Sequence, residues 1–189
     1  MVTAPRGGYI VPAAHAAWVR EKLVLHGLIS HSIDRPISAA PVQTFRATKW
    51  TLAPTTFEGR TQLQLEGEWH NESRDIPAGS LFVPIAQPGS TLLMTLFEPR
   101  SEDSFVRWGF FNIAFERKEY MEAYIAEQVA EEMLKRDPEI KQEFEQRLAT
   151  DPDFANNPAA RLEFFYRKHP SWDERYGLYP VYRSEVKLR

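Results

Sequence analysis

Residues 62–70 read Gln-Leu-Gln-Leu-Glu-Gly-Glu-Trp-His, so apolar or small residues alternate with polar ones. Successive side chains of a strand point to opposite faces of a sheet, and this period of two therefore predicts a strand with one buried and one wet face. Residues 42–52 are rich in Thr and aromatic residues and predict the partner strand, while the alternation resumes over residues 81–85. The sequence predicts a small, mostly antiparallel sheet between residues 40 and 85.

The N-terminal segment, residues 8–33, predicts a strand, a helix and a second strand. A short apolar run ends at Pro12, and proline is tolerated at the start of a helix because its missing N–H has no helical partner there. Gly27 is suited to a left-handed C-terminal cap. The predicted buried stripe of the helix comprises Ala16, Val19, Leu23 and His26.

Three dipeptides mark helix starts in the C-terminal part of the chain: Asp137-Pro138, Asp151-Pro152 and Asn157-Pro158. In each pair a side-chain oxygen is available for the unpaired N–H groups of a first turn, and the proline that follows already has a helical φ. Ser90 is predicted to be the N-cap of a further short helix over residues 92–97. We therefore expect a layer of helices from residue 90 to 170, packed on the sheet.

Apolar residues recur at helical spacing in three stretches of this layer. The first stripe, in a helix over about residues 118–136, comprises Met121, Tyr124, Ile125, Val129 and Met133. The other two comprise Ile140, Phe144 and Leu148, and then Leu162, Phe165 and Tyr166 before Pro170.

Aromatic residues are concentrated between 105 and 115. Their spacing of three or four predicts one face of a helix, and such a stripe usually belongs to the core, although stacking on sugars or bases is the alternative. We expect the following side chains to be largely buried: Phe105, Trp108, Phe111 and Met121.

These patterns together predict an α+β fold with an N-terminal strand-helix-strand, a small antiparallel sheet and a C-terminal helical layer. The predicted organisation is a flexible start over residues 1–7, one α+β domain over residues 8–183 and a tail over residues 184–189. Within the domain, residues 8–88 are sheet-rich and residues 89–170 are helical.

Composition excludes several classes of protein. The chain has no cysteine among its 189 residues, which rules out disulfides, zinc sites with cysteine ligands and cysteine nucleophiles. Its 23 basic and 26 acidic residues give a net charge of −3, which argues against nucleic acid as the main partner. There is no apolar stretch long enough to predict a membrane span.

The histidines do not form a metal-binding motif. His15, His26, His31, His70 and His169 are the five present, and none is three or four residues from another, as a helical zinc site requires. His70 and Glu72 come closest, but residues two apart on a strand are more simply exposed neighbours. Ser80 and Ser90 lie outside any nucleophile motif. We therefore predict no catalytic and no metal-ligating residue, and the candidates for a binding site are Arg107, Trp108 and His169.

Several short segments have a specific order of residues that the periodicity of a helix or strand does not explain. Those in the first two thirds are IPAGSLFVP (76–84), QP (87–88), LFEP (96–99) with DS (103–104), WGFFN (108–112) and EYME (119–122). Those in the tail are DPDFA (151–155), RLEFFY (161–166), HPSWDER (169–175) and LYPVYR (178–183). Over about residues 8–183 the chain resembles the C-terminal region of bacterial zinc carboxypeptidases of the carboxypeptidase A-like family.

The resemblance implies a particular division of labour. In that family a His-x-x-Glu pair and a distant second His bind zinc, and a Glu acts as general base, all in a peptidase domain N-terminal to the matched region. This sequence contains no His-x-x-Glu, so no catalytic residue of the family can be carried onto it.

We therefore expect a non-catalytic C-terminal domain of a zinc carboxypeptidase-like protein, which supports the peptidase domain of the same polypeptide or presents its substrate. Zinc is expected in that peptidase domain and no cofactor in this chain. The alternatives are a stand-alone carbohydrate- or peptide-binding module, which needs an exposed aromatic and polar groove, and an independent hydrolase.

Overall fold

The computed structural model describes residues 3–118 and 120–187, which divide into two compact units. The sheet unit comprises the chain up to Glu116 and again from Arg175 onward, and the helical unit comprises Arg117–Glu174. The single domain over residues 8–183 stays a prediction.

The sheet unit contains a six-stranded antiparallel sheet among its described residues. Its strands are β1 (Gly8–Val11), β2 (His31–Ser32), β3 (Ile37–Leu52), β4 (Leu63–Ile76), β5 (Leu81–Pro84) and β6 (Tyr182–Ser184). They are arranged in the order β2-β5-β1-β6-β3-β4. The predicted strands are therefore present, and the sheet also includes the first strand and a strand from the end of the chain.

Strands β3 and β4 form a long hairpin that runs from the pair Ile37 and Ile76 to the pair Leu52 and Leu63. The predicted alternation in β4 is confirmed, because Leu63 and Gly67 are buried while Gln64, Glu66 and Glu68 are exposed. Near its other end β4 buries an even-numbered residue, Ile76, in a second cluster. The hairpin thus contributes to apolar clusters on both faces of the sheet.

Helix α1 (Ala13–Leu25) follows β1, so the predicted strand-helix-strand start is confirmed. Ala16, Val19 and Leu23 are buried as predicted. The prediction for His26 is wrong: this residue is exposed and caps the helix, because Gly27 follows it with a φ of +67° and turns the chain away.

Helix α2 (Ser90–Phe97) matches the predicted short apolar helix, with Leu93, Leu96 and Phe97 buried. Its N-cap is Gly89, in the left-handed region, and no side chain caps it. The predicted N-cap role of Ser90 is therefore wrong, since Ser90 is already the first helical residue.

Residues 105–115 form turns and a short 3-10 helix, Asn112–Ala114, so the predicted helix is wrong here. Gly109 has a φ of +74°, and a Cβ on it would lie 2.3 Å from the carbonyl oxygen of Thr61. The close approach and the positive φ together prevent a continuous helix. The core assignment still holds for three of the aromatic residues: Phe105, Phe111 and Phe115 are buried.

The predicted burial of Trp108 and Met121 is wrong, since both are half-buried. Trp108 lies on the turn before Gly109, where its ring packs on exposed Phe57 with centroids 6.0 Å apart. A tilted contact of this kind covers only part of an indole.

The helical unit contains α3 (Ala123–Arg136), α4 (Pro138–Thr150), α5 (Pro152–Ala155) and α6 (Pro158–Tyr166). All three predicted helix starts are confirmed. The side chain of Asp137 accepts hydrogen bonds from the main-chain N–H groups of Glu139 and Ile140 at 3.0 and 3.1 Å. Asp151 and Asn157 cap the following helices in the same way.

Phenylalanine rings fill the core of the helical unit. Its buried members are Ala130, Phe154, Phe164 and Phe165, with Met133, Leu134, Ile140, Phe144, Leu148 and Ala160 half-buried around them. The predicted stripe on α3 is wrong at Tyr124, which is 63% exposed. Ala126 and Ala130 are buried instead, because small side chains bring α3 close to its neighbours.

The predicted α+β class is confirmed by these elements. Of the helices in the described part of the chain, none combines the length and the apolar character needed to cross a bilayer.

Candidate functional site: a buried ion pair beside a free sheet edge

Three segments distant in sequence meet at Glu98, which follows α2 directly and is 4% exposed. Arg183 of β6 donates from Nε to Glu98 Oε1 at 3.0 Å and from Nη2 to Oε2 at 2.5 Å. Tyr9 of β1 donates its hydroxyl to Glu98 Oε1 at 2.5 Å. The result is a bidentate ion pair with a tyrosine as third member, the geometry that satisfies a buried carboxylate best.

Two tyrosines, Tyr9 of the cluster and the nearby Tyr179, have raised pKa values. Burial, and then the adjacent Glu98 carboxylate, raise the pKa of Tyr9, so the phenol remains a proton donor at neutral pH. Burial also raises the pKa of Tyr179, whose hydroxyl donates to the carbonyl oxygen of Phe97 at 3.1 Å. The cluster ties β1 and β6 to the end of α2.

The ion pair lies beside a cleft of about 380 Å³. The guanidinium of Arg183 is 4.3 Å from the ring centre of Trp69, so a cation–π contact forms part of the wall. The cleft is lined by Thr3, Gly67, Glu68, Trp69, Glu98, Pro99, Arg100 and Arg183.

A second cleft, of about 240 Å³, lies further along β4. It is lined by Leu63, Gln64, Leu65, Pro99, Arg100, Ser101, Glu102 and Arg107. The two clefts share Arg100, whose Nη2 donates to the main-chain carbonyl oxygen of Gly67. We call the two clefts together, between β4 and residues 99–107, the edge groove.

Strand β4 is an edge of the sheet, since β3 is the one strand paired with it in the described part of the chain. The main-chain N–H of Leu63 points away from β3, because it donates to the carbonyl oxygen of Arg107 at 3.0 Å. Groups of alternate residues in an antiparallel strand point the same way, so those of Leu65, Gly67 and Trp69 also face the edge groove.

The residues predicted to bind are placed in two locations. Arg107 lines the edge groove, and the neighbouring Trp108 is half-buried with its Nε1 3.4 Å from Asp103 Oδ1. His169 belongs to the helical unit, where its Nδ1 is 2.8 Å from the hydroxyl oxygen of Ser171. Arg107 and Trp108 are thus next to each other near one groove, and the local contact of His169 is with its own turn.

Sequence reasoning missed the members that define the site: Trp69, Glu98, Arg100 and Arg183. Glu98 follows an apolar pair and Arg183 follows Val181 and Tyr182. A single charge next to apolar residues is a weak signal. Only the pairing of the two, 85 residues apart, identifies them as buried partners.

A second polar cluster lies on the hairpin. Glu72 is 2.7 Å from Arg46 Nε and 2.5 Å from Arg74 Nη2. Partial burial opposes the charged form of Glu72, but hydrogen bonds from both arginines outweigh it and lower its pKa from 4.5 to about 2. Glu72 is thus already held by two cations, while His70, its predicted neighbour, is exposed.

Among residues 3–118 and 120–187 no group of three or more His, Asp or Glu side chains could hold a metal ion. His15 packs edge-on against Trp18 and Phe111, and burial lowers its pKa. Its imidazole is therefore a neutral part of the aromatic core at pH 7.

No family model, curated protein or solved structure matched this chain in the comparisons.

Proposed function

We propose that this chain is the non-catalytic C-terminal domain of a zinc carboxypeptidase-like protein, where it supports the peptidase domain or presents its substrate. One observation carries the proposal: strings that resemble this family are joined in the structure. LFEP (96–99) contributes Glu98 and LYPVYR (178–183) contributes Arg183, and the two form the buried ion pair. A resemblance of composition alone gives no reason for separate strings to supply both halves of one interaction.

The helical unit supports the proposal in the same way. DPDFA (151–155) contributes Phe154 and RLEFFY (161–166) contributes Phe164 and Phe165. The rings of Phe154 and Phe164 lie 6.0 Å apart in the core. In each unit, therefore, the strings that carry the resemblance build the interior, as expected of motifs that specify a fold.

The proposal assigns the chemistry to the peptidase domain. A catalytic zinc usually needs three protein ligands and an open position, and the family's His-x-x-Glu motif does not occur in this sequence. The role left for this chain is to stabilise the peptidase domain or to hold substrate near it.

The test measures zinc and activity on the same preparation. We expect the purified chain to contain no stoichiometric zinc. We also expect it to release no C-terminal residue from a peptide with a blocked N-terminus and a free C-terminus, with or without added zinc. A polypeptide in which a His-x-x-Glu peptidase domain precedes this chain in one reading frame is expected to bind zinc and to release C-terminal residues. One tightly bound zinc per isolated chain, or turnover that a chelator abolishes, contradicts the accessory role.

The second candidate is a peptide-binding module, and the edge groove is the observation that favours it. The groove combines a half-buried tryptophan with main-chain groups of an unpaired strand edge, which together offer a peptide an aromatic surface and hydrogen-bond partners.

A further inference from the structure

We propose that the edge groove binds the C-terminal end of an extended peptide, which pairs with β4 as an added antiparallel strand and places its terminal carboxylate at Arg100 and Arg107. This inference rests on the proposed function only where it interprets such binding as substrate presentation.

The edge of β4 that faces the groove pairs with no strand in the described part of the chain. Gly67 and Trp69 direct their main-chain groups into the groove, since their opposite residues on β3 bond elsewhere: Ala47 donates to Gly177, and Phe45 accepts from Tyr179. The main-chain groups of Leu65 point the same way by alternation along the strand. Among the described residues, only Arg100 bonds to these outward groups, at Gly67. An extended backbone is the ligand that matches such a row of donors and acceptors.

The groove is closed at its Leu63 end. At Leu63 the edge is already taken by the carbonyl oxygen of Arg107, and at Thr61 the carbonyl oxygen accepts from Asn112 Nδ2 at 2.9 Å. An added strand must therefore stop beside Leu63 or Leu65. Leu65 and Trp69 are four residues apart, about 13 Å along a strand, which fits a segment of about four residues.

The closed end of the groove is positively charged. Arg100, Glu102 and Arg107 are the charged residues lining the smaller cleft, which gives it a net charge of +1. Neither arginine forms an ion pair with a described residue. A terminal carboxylate is the group that a chain end would place there, and bidentate guanidinium contacts suit it.

The position of the closed end also determines the direction of the bound peptide. If the peptide ends beside Leu63, it runs from Trp69 towards Leu63, opposite to β4, as every other strand in this sheet pairs with its neighbour. Arg100 then exchanges a neutral acceptor, the Gly67 carbonyl oxygen, for a carboxylate. That exchange is favourable because hydrogen bonds to charged acceptors are the stronger ones.

The test is fluorescence anisotropy with the full chain and three labelled peptides that differ at one end. The first is Gly-Thr-Val-Thr-Val with a free C-terminus, the second is its C-terminal amide, and the third is an amide that ends in Glu. We expect the free acid to bind at least about tenfold more tightly than either amide, since a charge-assisted pair is lost in both. Methylation of alternate amide nitrogens in the free acid is expected to abolish binding.

Protein variants locate the effect. R107Q and R100Q are expected to remove the preference for the free acid, whereas R35Q, at an exposed arginine outside the groove, keeps it. Far-UV circular dichroism confirms folding, and the peptide series on the unmodified chain decides the question even where a variant fails to fold. Equal binding of acid and amide, equal binding of the Glu-ended amide, insensitivity to both arginine changes, or no binding at millimolar peptide each overturns the proposal.

The outcome is separable from the accessory role. If the chain binds acid and amide equally, and also binds no zinc and hydrolyses no peptide, only the groove proposal is contradicted. A clear acid preference in a chain that itself binds zinc and hydrolyses peptides would support the groove and contradict the accessory role.

Discussion

The sheet unit and the helical unit are stabilised by contacts of opposite range. In the sheet unit Glu98 and Arg183 pair across 85 residues and are buried with a tyrosine hydroxyl. In the helical unit Asp137 caps α4 through residues two and three positions away, and the core is apolar. The comparison teaches that local contacts can be read from sequence and that the long-range polar contact, which lies beside the groove, cannot.

The largest expected effect is the loss of the ion pair. Arg183→Met leaves Glu98 charged and buried without its partner, and such changes destabilise a protein by about 3–5 kcal/mol. Urea denaturation followed by tryptophan fluorescence measures the free energy of unfolding.

The control is the double variant Glu98→Gln with Arg183→Met, which removes the buried charge and keeps an acceptor for Tyr9. We expect it to recover part of the loss, because pairs replaced as a unit cost less than pairs that are broken. A loss of less than about 1 kcal/mol in the free energy of unfolding of Arg183→Met is what an exposed ion pair gives. It would mean that solvent reaches Glu98.

The corresponding change in the helical unit is Phe165→Ala. This ring is 2% exposed, and its centre is 4.8 Å from that of Phe144 and 5.0 Å from that of Phe164. We expect a loss of about 3 kcal/mol, the lower end for a buried phenylalanine, because half-buried neighbours can move into the space. Far-UV circular dichroism during denaturation reports it. An unchanged midpoint would show that this core does not limit stability.

Two aromatic residues between 105 and 115 differ in burial, and their replacement by alanine should differ in its cost to stability. Phe111 is fully buried and Trp108 is half-buried, so Phe111→Ala is expected to cost about 3 kcal/mol and Trp108→Ala about 1–2 kcal/mol. The spacing of the aromatic residues predicts that both are buried, and a buried Trp108 would instead cost about 3–5 kcal/mol on replacement by alanine. Denaturant melts of both variants under one condition decide between the two rankings.

The elements that could be predicted from sequence are those formed by local contacts. The Asx-Pro starts were predictable because the cap and its acceptors lie within three residues, and the β4 alternation because the period of two is unbroken over 62–70. The contribution of β6 was not predictable: Tyr182–Ser184 is a strand because it pairs with β1.

The region of the site was predictable only in part. Residues 105–115 carry the aromatic spacing of a helix, yet Gly109 stands where the chain approaches Thr61 and must turn. Arg107 and Trp108 were candidates for binding from sequence, and the structure brings Arg107 to the edge groove. Arg100 and Trp69 gave no local signal, since their relation arises from the pairing of β4 and the loop after α2.

Helix caps provide a smaller and strictly local test. Asp137→Ala and Asn157→Ala each remove one side-chain acceptor from a first turn, and we expect a loss of about 1 kcal/mol for each. The matched control is Gln142→Ala, an exposed change inside α4 that improves helix propensity slightly. Thermal melts followed by circular dichroism should rank the control above both cap variants. A cap variant as stable as the control would contradict the reading of these dipeptides.

The smallest expected effect is the pH dependence that Glu72 gives the sheet unit. Its pKa is about 2 in the folded chain and 4.5 ordinarily, so the folded state holds this carboxyl ionised more strongly than the unfolded state does. The contribution to stability is therefore complete above pH 4.5 and is lost as pH falls through about 2. Because the Glu72 side chain remains 20% exposed, solvent and salt weaken the effect.

Urea midpoints of the unmodified chain and of Glu72→Gln, measured at falling pH between these values, should converge towards pH 2 and differ most above pH 4.5. Added salt should shrink the difference. A constant gap across the whole range would mean that Glu72 packs against the hairpin without its charge mattering, and the two arginines beside it would then be held by the sheet alone.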